Sequence, residues 1–409
     1  MKQETFKQTE IGKIPKEWKI VRLGEVTEIV SGFGFPKKYQ GNKEARYPFI
    51  KVNDLNFAPK YITRADNYID DLILAKLKAK IFPPSTIIFP KIGMATYLNK
   101  FRIIKVWATF DNNVAGAIPK NSIDSEFLFY YLSGKIDLKK LSGQTTAPSI
   151  RKTTLEAVKL PLPPLPEQQK IAEILSTVDS AIEKVNQAIE KTQRLKKGLM
   201  QELLTKGIGH KEFKDTEIGR IPKEWEVVRL KESEEIELIM GQSPPGKSYN
   251  KEGKGLPFIQ GKAEFGNMYP SPILWTTQPT KIAEEGDVLI SVRAPVGDVN
   301  ICPYRLCIGR GLAAVRIKKG SNIFYFYWFQ KEKQHIENIG KGSTFKAVTK
   351  DELSNLFIPF PPLPEQQKIA EILSTVDKRL ELLRAKKEKL ERIKKGLMND
   401  LLTGKRRVC

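Results

Sequence analysis

Residues 161–179, PLPPLPEQQKIAEILSTVD, recur at 359–377 with a single change, Leu162 to Phe360. A chain that writes one helix start twice, 198 residues apart, is built as a duplicate of one unit. Each copy reads as a stop followed by a start. The prolines favour extended backbone, Pro166 suits a first helical position, and Glu167 sets negative charge near the positive helix end. Beyond it Ile171, Leu175, Val178, Ile182, Val185, Ile189, Leu195, Leu199 and Leu203 fall mostly three and four apart. The second copy repeats this with Ile369, Leu373, Val376, Leu380, Leu383, Leu390, Ile393, Leu397 and Leu401. This is coiled-coil spacing, and the expected seam runs from Ile171 to Ile189 on one helix and from Ile369 to Leu390 on the other. A helix over 167–205 would be about 58 Å long at ~1.5 Å per residue, too long for an ordinary globular helix.

A second duplicated block opens each half, TEIGKIPKEWKIVRL at 9–23 and TEIGRIPKEWEVVRL at 216–230. Between the blocks the copies diverge while their skeletons still match. YPFIKVNDL from Tyr47 answers LPFIQGKAEF from Leu256, although the second copy lacks a counterpart of Asp54. The apolar runs 87–89 and 288–290, bounded by Pro, Ser or Gly, predict buried strands, and 126–132 and 324–331 predict helices. The expected fold is mixed α/β (α+β) globular domains in tandem duplicate, separated by two long helices forming an antiparallel coiled coil with pseudo-two-fold symmetry. The boundaries fall at 1–162 for the first domain, 163–207 for the first helix, 208–360 for the second domain, and 361–409 for the second helix and a basic tail. Antiparallel helices follow from the chain path: the second domain leaves the end of one helix and returns to the start of the next, which parallel helices would place about 58 Å away. Gly198 and Gly396 hold equivalent places in the two helices and read as fraying near their ends; Lys387 stands where Ile189 stands, at a seam position.

Charge separates the halves from the first helix. Of the net +22, residues 1–166 hold 27 basic against 15 acidic residues, while 167–205 hold 6 of each. Residues 240–350 hold 16 basic against 8 acidic, so both globular halves offer the positive surface that suits nucleic acid. The N-terminus lacks the apolar core of a signal peptide, no run approaches 18 apolar residues, and three cysteines make no disulfide framework. A cytoplasmic protein without a membrane partner is expected.

No catalytic motif is found. GKGS at Gly340 lacks the spacing of a phosphate loop, and Gly32-Phe33-Gly34 is a lone G-x-G that reads as a tight turn. Cys302, Cys307 and His335 have no partner pair for a metal, and two histidines in all leave little for imidazole acid-base chemistry. The chain reads as a binder, with no catalytic residue, metal or cofactor of its own.

The openings WKIVRLGEV and WEVVRLKES, PFIKVNDL, GDVLIS at Gly286 and above all the duplicated PPLPEQQKIAEIL resemble the specificity subunit of type I restriction-modification systems. The resemblance implies two target recognition domains, each reading half of a bipartite double-stranded DNA site, with helices that set the spacing. It implies docking of two methyltransferase subunits, with restriction subunits outside them, and places S-adenosylmethionine and ATP on those partners. The near-identical helices suit two copies of one partner, and the divergent domains suit an asymmetric site. Base reading calls for Arg, Lys, Asn, Gln, Ser or Thr on groove-entering loops. The candidates are Lys37, Lys38, Lys91, Gln144, Thr145 and Arg151 in the first domain. The second offers Gln242, Ser243, Lys247, Tyr249, Arg293, Arg310, Lys341, Thr344 and Lys346. The competing reading is a two-headed protein-binding scaffold with a coiled-coil rod.

Overall fold

The computed structural model describes residues 6–143, 148–340 and 347–408. The chain forms two compact units, Met1–Val185 with Lys386–Cys409, and Asn186–Ala385. Each is built on the same plan from mixed α and β elements.

In the first unit the opening block becomes strand Lys19–Arg22, which pairs antiparallel with the exit strand Lys159–Leu162. The second unit pairs Glu226–Arg229 with Phe357–Phe360 in the same way. The two duplicated blocks are therefore strand partners, which accounts for their being copied together. The apolar run at 87–89 forms strand Ile87–Pro90, buried throughout, in the order Thr27–Ser31, Val114–Pro119, Ile87–Pro90, Arg102–Ile104, Tyr61–Ile62. The second unit repeats the first four of these as Ile236–Met240, Leu312–Ile317, Val288–Ser291 and Val299–Ile301. A second sheet in each carries a parallel pair, Phe49 opposite Thr109 and Phe258 opposite Cys307.

Against the sheet lies a helix that is apolar on all sides, Ser125–Lys135 in the first unit and Asn322–Lys331 in the second. Phe127 to Leu132 and Phe324 to Phe329 are each buried without interruption, as befits a helix walled in all round rather than lying on a surface.

The long helices run Leu165–Lys206 and Leu363–Leu401. Each starts one residue before the corresponding proline, with the backbone N–H groups of Glu167 and Gln168 both donating to Pro164 O. Each unit holds an antiparallel pair of helical segments. In the first, Lys394 Nζ meets Asp179 Oδ1 at 2.6 Å and Arg407 reaches Glu167 near the start of the first helix. In the second, Lys196 Nζ meets Asp377 Oδ1 at 2.8 Å and His210 Nε2 lies 2.9 Å from Glu365 Oε1. Ile171, Leu175 and Val185 are buried, as are Ile369, Leu373, Val376 and Leu380; Val178, Ile182, Ile189, Leu383 and Leu390 are half-buried. The first turns do more than pair helices: Ile171 and Leu175 join a core with Trp18 and Leu402, and Ile369 and Leu373 join one with Trp225 and Leu204.

Two expectations need correction. Leu195 and Ile393 point outward, 54% and 42% exposed. The inward stripe passes instead through Lys196 and Lys394, whose charges are met by Asp377 and Asp179. Each of those aspartates also accepts a 2.7 Å hydrogen bond from a buried tyrosine of the central helix, Tyr327 or Tyr130. Nor do Gly198 and Gly396 mark frayed ends, since both lie inside continuous helix with open space where a Cβ would stand. Gly198→Ala and Gly396→Ala are each expected to stabilise the protein by about 1 kcal/mol, because alanine removes the backbone entropy cost without a clash. Thermal unfolding of the two variants checks this, and a lowered midpoint would contradict it.

No helix among the described residues is long and apolar enough to cross a membrane.

Candidate nucleic-acid interface

The duplicated EQQ explains how each unit is locked. The Glu167 carboxylate is buried and accepts from the Trp18 indole N–H at 3.0 Å and from Arg407 Nε and Nη2 at 2.6 and 3.0 Å. This pairing raises the Arg407 guanidinium pKa above its ordinary value. Glu365 repeats the arrangement with the Trp225 indole at 2.9 Å and His210 in place of the arginine. The next residue, Gln168, accepts from Asp124 N at 2.8 Å, and Gln366 accepts from Ser321 N at 2.9 Å. Those two acceptances fall on the N-cap residues of the central helices. The near-identity of the two stretches is thus tied to internal hydrogen bonds at Glu167, Gln168, Glu365 and Gln366.

Six of the sequence candidates, Lys91, Arg151, Gln242, Ser243, Arg293 and Arg310, lie where three strands end. In the second unit Ile236–Met240 and Val288–Ser291 finish beside the start of Leu312–Ile317. Gly241 N donates to Leu312 O, and Val292 N donates to Gly311 O. Gln242, Ser243, Arg293 and Arg310 leave from this one end. Arg293, Arg310 and Gln242 are exposed, and their side chains have no hydrogen-bond or ion-pair partner among the described residues. Arg293 also forms a backbone bridge with Ala347. Lys247 is exposed on the short turn Gly246–Ser248. Two candidates are committed to holding the loop: Tyr249 donates to Pro244 O and stacks on Phe258, and Ser243 Oγ lies 3.0 Å from Gln260 Nε2 and 3.3 Å from Arg310 N.

The first unit has the same frame. Gly32 N donates to Val114 O, and Lys91 N donates to Asn113 O. Lys91 is half-buried, donates to Ser31 Oγ at 2.9 Å, and has its pKa lowered by burial. Ile150 N donates to Lys91 O, which brings the exposed Arg151 to this end of the sheet. Lys37 and Lys38 are exposed on the turn Lys37–Tyr39, the counterpart of Gly246–Ser248. Gln144, Thr145, Lys341, Thr344 and Lys346 lie outside the described residues.

The lone G-x-G is a packing device. A Cβ on Gly32 would stand 2.0 Å from Asp111 O, and one on Gly241, its counterpart, 2.1 Å from Gly309 O. No side chain fits where the strand ends cross. Asp54 also has a functional counterpart, one position later than the sequence match places it. Asp54 accepts from Lys51 N at 2.6 Å, and Glu264 accepts from Gly261 N at 3.4 Å, each closing the same turn three residues on. Burial raises the Asp54 carboxyl pKa above its usual range, partly offset by these hydrogen bonds.

Residues 15–192 and 222–392 each match the model of the type I restriction modification DNA specificity domain. The chain belongs to that family. Among its relatives, the putative type I restriction enzyme MjaX specificity subunit of Methanocaldococcus jannaschii is 43% identical, over 100% of this chain and 98% of its own. A solved chain from work on complex assembly and conformational transition of the type I R-M system is 28% identical, with a TM-score of 0.58 over 96% of this chain and 99% of that one. The type I restriction-modification S subunit from M. genitalium superposes with a TM-score of 0.61, over 94% and 96% of the two chains, at 16% identity that speaks for the fold alone. In this specificity chain the duplicated blocks are the frame, and the strand-end loops are among the places where its two halves differ.

Sequence reasoning missed Gln260, Lys51 and Asn112. Gln260 and Lys51 follow the matched strands Leu256–Ile259 and Tyr47–Ile50, so the PFIQ and PFIK repeats carried a usable signal. Asn112 sits in a link too short to show any pattern. Among the described residues no group of three metal-ligating side chains occurs; Cys302 and Cys307 are buried, and burial pushes the Cys302 thiol up to about 12.

Proposed function

We propose that this chain is the non-catalytic DNA sequence-recognition subunit of a type I restriction-modification complex. Each unit reads one half of a bipartite, asymmetric duplex site. The long helices set the half-site spacing and dock two methyltransferase subunits, which restriction subunits join. S-adenosylmethionine and ATP belong to those partners. The observation that carries the reading is the pair of equivalent strand-end clusters, one frame carrying two different sets of exposed polar and basic side chains. Identical heads would suit a palindrome, and a scaffold would need no such divergence at one sheet end. Cations such as Arg293, Lys37, Lys38 and Lys247 supply phosphate attraction, while the amide and guanidinium groups carry sequence information.

The test is selection of bound duplexes from a random pool by the complex assembled with its methyltransferase subunits, repeated at several salt concentrations. A split, asymmetric motif is expected, with affinity falling steeply as salt rises. Binding without any sequence preference would refute it.

A further inference from the structure

We propose that Arg310 reads a guanine in one half-site and that Asn112, holding the same place in the first unit, reads an adenine in the other. This rests on the recognition reading above and assigns it to atoms.

The equivalence comes from strand register. Ile259 lies opposite Ile308 in a parallel pair, and Ile50 lies opposite Phe110 in its counterpart. The next sheet strand begins at Leu312 in one unit and at Val114 in the other. Three residues link the strands in each case, 309–311 and 111–113, and the middle one is exposed: Arg310 or Asn112.

Both links are pinned on several sides. In the second unit Gly309 N donates to Ile259 O at 2.7 Å, Gly311 N to Gln260 O at 3.2 Å, and Arg310 N to Ser243 Oγ at 3.3 Å. A Cβ at Gly311 would stand 2.7 Å from Gln260 O, so the link is wrapped directly around Gln260. In the first unit Asp111 N donates to Ile50 O at 2.9 Å, and the Asp111 carboxylate accepts from Asn113 N at 2.9 Å. Burial raises that carboxyl's pKa above its ordinary value. The middle side chain therefore projects from a rigid pedestal, and neither Arg310 nor Asn112 has a side-chain partner among the described residues.

Two features favour a base edge over a phosphate. A phosphate offers only acceptors, and although an asparagine amide can donate to one, its carbonyl would go unused there. Here the cation is replaced by a side chain with one donor and one acceptor group, at a fixed place in an unchanged frame. Arginine matches guanine O6 and N7, and asparagine matches adenine N6 and N7, through paired hydrogen bonds in the major groove. The residues that flank the Arg310 link are Gln242, whose N–H donates to Ile308 O, and Gln260, whose amide is held by Ser243 Oγ. Their counterparts around Asn112 are Phe33 and Lys51, so the surroundings change together with the reader.

The experiment is duplex selection by the assembled complex carrying Arg310→Asn or Asn112→Ala. Arg310→Asn is expected to lose preference for guanine at one base pair of one half-site by roughly tenfold or more, in favour of adenine, with the other half-site unchanged. Asn112→Ala is expected to flatten one adenine position in the opposite half-site. Motifs identical to the wild type would overturn the assignment. So would a loss of affinity that is equal for all duplexes, which is the mark of a phosphate contact. A wild-type complex that selects no motif would instead strike the recognition reading itself, so the two failures are distinguishable.

Discussion

Glu167→Ala is expected to destabilise the first unit by about 3–5 kcal/mol, the range found when one partner of a buried ion pair is removed. Two side chains depend on this carboxylate. The Trp18 indole N–H, fully buried, would lose its acceptor, and Arg407, 16% exposed, would keep only Glu17, at 2.9 Å, among the described residues. The exit from the proline cluster would also lose its tie to the opening block, because Trp18 immediately precedes strand Lys19–Arg22. Chemical denaturation of Glu167→Ala, Arg407→Ala and the double variant measures the effect. The double variant should cost less than the sum of the singles, since removing both charges leaves no uncompensated ion in the interior. Additive costs, or a Glu167→Ala loss below about 1 kcal/mol, would mean that the pair is solvated like a surface bridge.

The second large effect is expected from the glycines where the strand ends cross. In Gly32→Ala a Cβ meets the Asp111 carbonyl at 2.0 Å, and in Gly241→Ala it meets the Gly309 carbonyl at 2.1 Å. Both obstacles are backbone, which cannot rotate aside, so the strand ends must part at a cost of about 1–3 kcal/mol or more. The movement falls on the links that carry Asn112 and Arg310. Each substitution should therefore erode the motif of one half-site while leaving the other intact, in addition to lowering the unfolding midpoint. Duplex selection and thermal unfolding read the two consequences separately. A Gly32→Ala protein with wild-type stability and an unchanged motif would show that the strand ends yield freely.

What the residues announced and what they concealed follow from the range of the interactions. The long helices, their proline starts, the central strands at 87–89 and 288–290 and the helices at 126–132 and 324–331 are local patterns, and each is legible by periodicity or by bounding residues. Lys196 and Lys394 were hidden because an apolar template skips a lysine whose partner is an aspartate roughly 180 or more positions away in sequence. Leu195 was chosen in its place for the same reason. Glu264 was concealed by a one-residue offset that only the turn geometry resolves. At the candidate interface, residue type and loop position single out Arg293, Arg310 and Gln242, which the structure sets at one sheet end. They do not single out Gln260 and Asn112, because their roles come from register between strands distant in sequence. Gly32 was read as a turn when it is a crossing point, a distinction that depends on a carbonyl almost 80 residues further on.

The first unit is not contiguous in the chain: Leu401 and Leu402 fill its core beside Trp18, and Arg407 closes on Glu167. Domains commonly fold in the order of synthesis, the N-terminal one first. Here that order is reversed in part. Residues 186–385 form their own compact unit without a later part of the chain, whereas the first unit cannot complete its core until Leu401 and Leu402 have been made. Until those two residues arrive, the part of that core they fill lacks its cover, which makes the nascent first unit the stage at which a chaperone has most to protect.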